Sequence, residues 1–85
     1  MYKVLISAKA KKQLKLITKL QHKKAITQMF EDVKENPFIG KPLEDEFRGE
    51  YSYRVGVYRI LYTINFKDET VTVLSAGHRS TVYIK

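Results

Sequence analysis

Three arginines and a tyrosine in the second half of the chain have side chains that could do chemistry. Arg54, Arg59 and Arg79 each fall at or beside the end of a predicted strand, and Tyr83 follows four positions after Arg79. A guanidinium is a planar fork that binds phosphate oxygens through charge-assisted hydrogen bonds. One exposed arginine on a sheet is ordinarily only solvated. Three arginines with a tyrosine would instead suit a groove that holds a phosphodiester.

A second group of basic residues lies at the other end of the sequence. Residues 1–24 contain eight lysines and no acid, residues 25–50 carry a net charge of −4 and residues 51–85 a net charge of +3, within a total of +7. Clustered bases are typical of proteins that bind nucleic acids or other polyanions, although lysines also simply solvate helix surfaces. Because these lysines lie in a helical region, we expect the helices to attract a polyanion and the arginine-bearing sheet to bind it.

Length and composition exclude several classes of protein. The chain has 85 residues, no cysteine and two histidines, so we expect one domain over residues 1–85 without disulfides, thiol chemistry or a multi-histidine metal site. No apolar run approaches the roughly 20 residues of a membrane span, and the N-terminus lacks the apolar stretch of a secretory signal. The composition therefore predicts a small intracellular domain with no cofactor.

Two helices are predicted between the N-terminus and residue 36. Residues 2–7 are typical of a short strand that ends on Ser7, a residue that favours helix N-caps. Residues 8–20 and 21–36 repeat apolar side chains every three or four positions, as amphipathic helices do. With almost no linker between them, we expect an antiparallel helical hairpin that ends at Pro37.

The remainder of the chain predicts a sheet. Residues 38–49 are rich in glycine, proline and charge and predict a loop. Tyrosine, valine, isoleucine and threonine dominate residues 50–55, 58–65 and 70–76, which predict three strands joined by tight turns, whereas residues 81–84 are too few to assign. The predicted fold class is therefore α+β in the order β-αα-βββ. It is a small, mainly antiparallel sheet of about four strands with the helical hairpin on one face.

Alternation along the central strand divides its side chains between two faces of the sheet. One face carries Arg59, Leu61, Thr63 and Asn65, and the other carries Tyr58, Ile60, Tyr62 and Ile64. Because the second set is apolar, we expect it to pack under the helices, which leaves Arg59 on the open face. Arg54 and Tyr53 are neighbours on the preceding strand, so one of them shares that face.

These segments together resemble the RelE/ParE toxin superfamily. The resemblance is carried by residues 58–62 (YRILY) and 77–83 (GHRSTVY), with the helix-to-sheet loop at 36–43 (NPFIGKPL) and 47–49 (FRG). It covers nearly the whole chain and implies the family's β-αα-βββ fold. The Gly-His-Arg ending followed by Val-Tyr is similar to the RelE branch, whose members cut mRNA in the ribosomal A site. The ParE branch instead poisons DNA gyrase.

The resemblance implies a role for each candidate residue. Arg59 would bind phosphate, and Arg54 falls where relatives have a basic residue near the end of the preceding strand. Arg79 would stabilise charge on the scissile phosphate, and Tyr83 would stack on a base or assist proton transfer. Ser52 departs from the basic residue that some relatives have at its position. The implied activity is that of a toxin of a type II toxin–antitoxin system, a ribosome-dependent, metal-independent mRNA endoribonuclease.

The identity of the general base stays open. Tyrosine and arginine are poor bases near pH 7, and His78 belongs to the only side-chain type in the motif that ordinarily titrates near neutrality. His78 could transfer protons, contact phosphate or simply pack. We expect His22 to be solvated on the lysine-rich helical surface. The acids Glu44 and Asp45 and their neighbour Glu46 sit in the predicted loop, where they most simply add charge.

The implied partners are an acidic RelB-like antitoxin, the ribosome and mRNA, and no membrane. We expect the antitoxin to cover the basic surface through an amphipathic segment, because a net charge of +7 on one small domain attracts anions strongly. The candidate ribosome-binding residues are Lys9, Lys12, Lys15, Lys19 and Lys23. The alternatives are a ParE-like gyrase inhibitor without RNA chemistry and a catalytically silent relative that only binds its antitoxin. Either toxin would act in the cytoplasm.

Overall fold

The computed structural model describes residues 1–78 and contains two α-helices and one five-stranded sheet. The predicted fold class is confirmed. The elements are β1 (Lys3–Ile6), α1 (Ala8–Lys15), α2 (Leu20–Glu35), β2 (Lys41–Pro42), β3 (Glu50–Val55), β4 (Tyr58–Asn65) and β5 (Thr70–His78). Single 3₁₀ turns at Pro37–Ile39 and Asp45–Phe47 flank β2. No helix in the described part of the chain is long and apolar enough to cross a membrane.

The strands lie in the spatial order β1-β5-β4-β3-β2. All neighbouring pairs are antiparallel except β1 and β5, which are parallel. The predicted number of strands was about four. The fifth is β2, a two-residue strand inside the segment predicted as a loop, where Lys41 pairs with Ser52 and Pro42 with Tyr51. Proline is tolerated there because β2 is an edge strand and does not need every N–H for pairing.

The helical hairpin forms as predicted but turns earlier than its apolar pattern indicates. Ser7 caps α1, since its hydroxyl accepts a hydrogen bond from the backbone N–H of Ala10 at 3.1 Å. The helix ends at Lys15, and residues 16–19 form the connection to α2. Leaving the helix at this point lets Ile17 point into the core, where it is only 2% exposed. Burial of that side chain outweighs the weak preference of the segment to continue as a helix.

The hydrophobic core lies between the helices and one face of the sheet. Its largest fully buried side chains are Tyr62, Ile17, Met29, Ile60, Val33, Val71 and Val73. The predicted division of β4 is confirmed for Ile60 and Tyr62, which belong to this core. Leu61 belongs to the other face and yet is 3% exposed. The open face is therefore not uniformly solvated. The pairing of β4 with β5 shifts its register between Leu61 and Tyr62.

A buried tyrosine ties the segment after α2 to the sheet. The hydroxyl of Tyr62 donates to the carbonyl of Pro37 at 2.7 Å and accepts from the N–H of Gly40 at 2.9 Å. A Cβ atom on Gly40 would lie 2.5 Å from that hydroxyl oxygen, so only glycine fits there. Burial raises the pKa of Tyr62 above its usual value near 10. The predicted helix end at Asn36-Pro37 thus becomes a fixed turn against β4.

Candidate functional site

Arg54 and Arg59 face each other across β3 and β4 on the open side of the sheet. The strand register makes them direct partners. Their neighbours Tyr53 and Ile60 pack into the core under the helices, so alternation directs both arginines to the opposite face. Arg54, rather than Tyr53, therefore shares the open face with Arg59. Directly opposed like charges destabilise a sheet, so this pair lowers the stability of the fold.

The two guanidinium groups are held differently. Arg54 is exposed, and its Nε–H donates to the carbonyl of Gly56 at 3.2 Å, in the turn between the strands. Arg59 is half-buried, and its Nε is fully buried with no hydrogen-bond partner among residues 1–78. Within those residues the one ion pair joins Lys34 and Glu31, so neither arginine meets a carboxylate there. An anion bound between the two side chains on this face would relieve the repulsion between the pair.

A row of three buried side chains, two serines and a leucine, lies beside the arginine pair. Ser52, Leu61 and Ser75 are direct neighbours on β3, β4 and β5 and are 5%, 3% and 3% exposed. On β5, Gly77 lies directly opposite Arg59 and carries no side chain. Beside the two arginines, which lie at the end nearest the β3–β4 turn, the open face thus has a buried floor of two serines and a leucine. Ser52, which departs from the basic residue of some relatives, belongs to this floor and not to the solvent-exposed surface.

His78 lies on the other side of the sheet from Arg59. It pairs with Tyr58 at the last described position of β5, and Tyr58 packs against the core on the helix side. Strand alternation therefore places His78 with Tyr58 and separates it from the two arginines. The described residues do not bring this candidate for proton transfer to the arginine face. Arg79 and Tyr83, the other two candidates, lie outside the described residues.

His22 does not lie solvated on the helix surface, so that expectation was wrong. The ring is half-buried, its Nδ1 is fully buried, and it meets Tyr58 edge-on with ring centroids 5.2 Å apart. Its Nε2 lies 3.3 Å from the position a Cβ atom would take on Gly56. The packing of α2 against the β3–β4 turn causes this burial. A pattern of helical periodicity could not predict it, because the contact joins two elements distant in sequence.

The candidate lysines form a separate basic surface. Lys9, Lys12, Lys15, Lys19 and Lys23 are all exposed and lie on α1, on α2 or at the residue that precedes α2. The helices cover the face of the sheet opposite to Arg54 and Arg59. The lysines and the arginine pair therefore lie on different sides of the molecule, and each side could contact a different part of a polyanion. In the described part of the chain, no group of histidine, aspartate and glutamate side chains could hold a metal ion.

A groove runs between the two helices on the lysine-bearing side. It has a volume of about 250 Å³ and is lined by Leu14, Ile17, Lys23, Ile26, Thr27 and Phe30. Its walls are mostly apolar, with the ammonium-bearing side chain of Lys23 at the rim. The shape and lining suit an amphipathic peptide segment whose polar face is acidic.

Comparison with known proteins gives concordant matches. The family described as ParE toxin of the type II toxin–antitoxin system parDE matches residues 4–83. Toxin RelG of Mycobacterium tuberculosis is 42% identical over 55 residues, a match that spans 64% of this chain and 63% of RelG. Toxin RelE of the same organism is 30% identical over 83 residues, or 96% of this chain and 86% of that toxin. The crystal structure of the M. tuberculosis toxin–antitoxin complex RelBE2 contains a similar chain, with a TM-score of 0.82, 32% identity and coverage of 92% and 98%.

Proposed function

This chain belongs to the RelE/ParE superfamily of toxins from type II toxin–antitoxin systems, and we propose that it cleaves mRNA on the ribosome and so inhibits translation. The observation that carries the proposal is the arginine pair on the open face. Arg54 and Arg59 are direct cross-strand partners without a carboxylate partner among residues 1–78, and such a pair would bind a phosphodiester. The proposed location of the activity is the cytoplasm, where translating ribosomes are found.

The proposed reaction uses the ribose 2′-OH of the mRNA as nucleophile on the adjacent phosphorus. Attack forms a pentacoordinate phosphorane, and departure of the 5′-oxygen leaves a 2′,3′-cyclic phosphate and a 5′-OH. Arg59 is suited to stabilise the extra negative charge, because its half-buried side chain is less hydrated than an exposed arginine before the substrate arrives. Arg54, tied to the turn through Gly56, would bind a flanking phosphate oxygen. This path requires proton transfers but no metal ion.

Two proton transfers must accompany this reaction, one from the 2′-OH and one to the 5′-oxygen. The family resemblance assigns charge stabilisation to Arg79 and stacking or proton transfer to Tyr83, and both remain part of the proposal. His78 would have to act from the helix-facing side of β5, so we assign it no direct contact with a phosphate held by Arg59. We propose that groups of the ribosome, which binds the same substrate, assist these proton transfers.

The lysine-bearing helices are proposed to bind ribosomal RNA. Their charge surrounds the face opposite the arginine pair, so contact with rRNA on one side can leave the other side free for mRNA. Lysine side chains bind phosphate as flexible point charges and carry little sequence information. We therefore expect ribosome affinity to fall steeply with salt concentration.

A RelB-like acidic antitoxin is the proposed partner of the free toxin. RelBE2 of M. tuberculosis, one of the solved structures that this chain resembles, is a toxin–antitoxin complex. We assign the apolar groove between α1 and α2 to an amphipathic antitoxin segment. Thr27→Glu should weaken antitoxin binding, because Thr27 is exposed and lines the groove. Gln21→Glu adds the same charge on the same helix at an exposed site outside the groove lining and serves as the matched control.

The decisive experiment is cleavage of an mRNA bound to purified ribosomes, with mapping of the new 5′ ends. Arg59→Ala should lower the cleavage rate by on the order of 10²–10³, as expected for the loss of one preorganised donor to a developing anion. Arg48→Ala is the control, since Arg48 is exposed and lies in the turn before β3 rather than in the strand pair that carries Arg54 and Arg59. Full cleavage by the Arg59 variant would refute the site.

The second candidate function is inhibition of DNA gyrase. It is favoured by one observation, the ParE description of the family that matches residues 4–83. Supercoiling assays with purified gyrase, run beside the ribosome assay, separate the two functions. Inhibition of supercoiling by a wild-type protein that leaves ribosome-bound mRNA intact would replace the proposed function with this one.

A further inference from the structure

The turn between β3 and β4 controls the geometry of the arginine pair. Gly56 and Val57 connect Val55 to Tyr58, and the strands on either side carry Arg54 and Arg59. Gly56 has φ = +59°, a left-handed conformation that favours glycine. Its carbonyl accepts the Nε–H of Arg54 at 3.2 Å. A shift of this peptide group would therefore move the guanidinium of Arg54 relative to that of Arg59.

One imidazole supports this turn from the helix side. The His22 ring contacts Tyr58, the first residue of β4, in an edge-on arrangement at 5.2 Å and 77°. The Nε2 and Cδ2 atoms of His22 approach Gly56 so closely that a Cβ atom there would lie 3.3 Å and 3.6 Å from them. A single side chain of α2 thus touches residues at both ends of the turn. The arginines lie on the other face of the same two strands.

Packing alone does not explain a histidine at this position. The Nδ1 atom of His22 is fully buried and has no hydrogen-bond partner within residues 1–78. An unsatisfied buried polar atom costs free energy, and in native structures such an atom calls for a functional or structural explanation. His22 also does not cap α2, because the N-cap is Lys19 and no side-chain cap hydrogen bond is present.

We propose that His22 is a positioning residue, which holds the Gly56 turn in place so that Arg54 is directed beside Arg59 for phosphodiester binding. The proposal rests on the function proposed above. His22 touches no substrate in this account and acts only through the turn and Tyr58. Its effect on the reaction arises because a misplacement of about 1 Å in a catalytic group can lower a rate by on the order of 100-fold.

The test compares His22→Ala with wild type on ribosome-bound mRNA, alone and in an Arg54→Ala background. We expect His22→Ala to lower kcat by roughly 10- to 100-fold with little change in KM. In the Arg54→Ala background it should cause little further loss, because two residues that act through one geometry are not additive. Gln21→Ala, an exposed neighbour on α2, is the control and should keep wild-type kcat.

Thermal unfolding and a conservative variant separate positioning from a general loss of stability. His22→Ala should remain folded at the assay temperature, and His22→Phe, which keeps an aromatic ring against Tyr58 and the turn, should recover most of kcat. Equal loss from His22→Ala in the wild-type and Arg54→Ala backgrounds would overturn the proposal, as would full kcat in His22→Ala. A wild-type protein that cleaves no mRNA would instead refute the underlying function, which is a distinguishable result.

Discussion

Replacing Arg54 with glutamate should raise stability while it lowers activity. Arg54 and Arg59 are direct cross-strand partners, so the wild-type pair is repulsive and the Arg54→Glu pair is attractive. Cross-strand charge pairs contribute about 0.2–1 kcal/mol each. The variant also loses the exposed hydrogen bond from Arg54 to Gly56, and that loss offsets part of the gain. For a domain of this size, a net gain of about 0.5 kcal/mol corresponds to roughly 2–4 °C in Tm. Cleavage should fall by on the order of 10²–10³, because a carboxylate then pairs with Arg59 and repels the RNA phosphate that Arg54 binds.

Two measurements on the same preparations check this prediction, the Tm by calorimetry and the initial rate of cleavage of ribosome-bound mRNA. Arg48→Glu makes the same change in net charge at an exposed site away from the pair and controls for a general charge effect. A Tm for Arg54→Glu below that of Arg48→Glu would refute the view that the arginine pair lowers stability. Cleavage at the wild-type rate would refute its role in binding phosphate.

Three further predictions concern the contacts that hold the fold. Ser7→Ala should lower the free energy of unfolding by about 1–2 kcal/mol in urea titrations, because Ser7 caps α1 through Ala10; a loss below about 0.3 kcal/mol would contradict the capping role. Gly40→Ala should lower the free energy of unfolding by about 1–3 kcal/mol, because the new Cβ atom overlaps the Tyr62 hydroxyl. An unchanged Tm would show that the turn can shift to accept the methyl group. Because burial raises the pKa of Tyr62, its contribution to stability should be fully present below pH ~10 and lost as the pH rises through the folded-state pKa. Tyr62→Phe should be less stable at neutral pH and lose less stability between pH 9 and 11, whereas parallel pH curves for the two proteins would argue against this assignment.

Local patterns were sufficient for most of the secondary structure. The β3 and β4 bounds agree with the predicted 50–55 and 58–65, because alternating β-branched and aromatic residues are bounded by short turn segments. The Ser7 cap and the helix end before Pro37 were also predicted, since each depends on residues adjacent in sequence. The predicted first helix ran too long, and β2 was missed. Both errors concern tertiary contacts, the burial of Ile17 and the pairing of Lys41 and Pro42 with β3.

The sequence by itself determined that the chain is a basic α+β domain and that Arg59 lies on the face opposite the helices. Charge composition, helical periodicity and the alternation of apolar and polar residues along a strand are properties of residues close together in sequence, so they can be recognised without knowledge of the fold. The sequence also predicts that Arg54 pairs with Arg59. The turn between their strands has two residues, Gly56 and Val57, and a two-residue hairpin turn sets the register of the strands that it joins.

Only the tertiary structure decided which groups share a surface. It put the helical lysines and the arginine pair on opposite sides, placed His78 on the helix-facing side with Tyr58, and buried His22 against the turn that holds Arg54. These outcomes depend on how α2 packs across the sheet and on the register between β4 and β5. Such contacts join residues far apart in sequence, and their energies are not encoded in any local pattern of residue types.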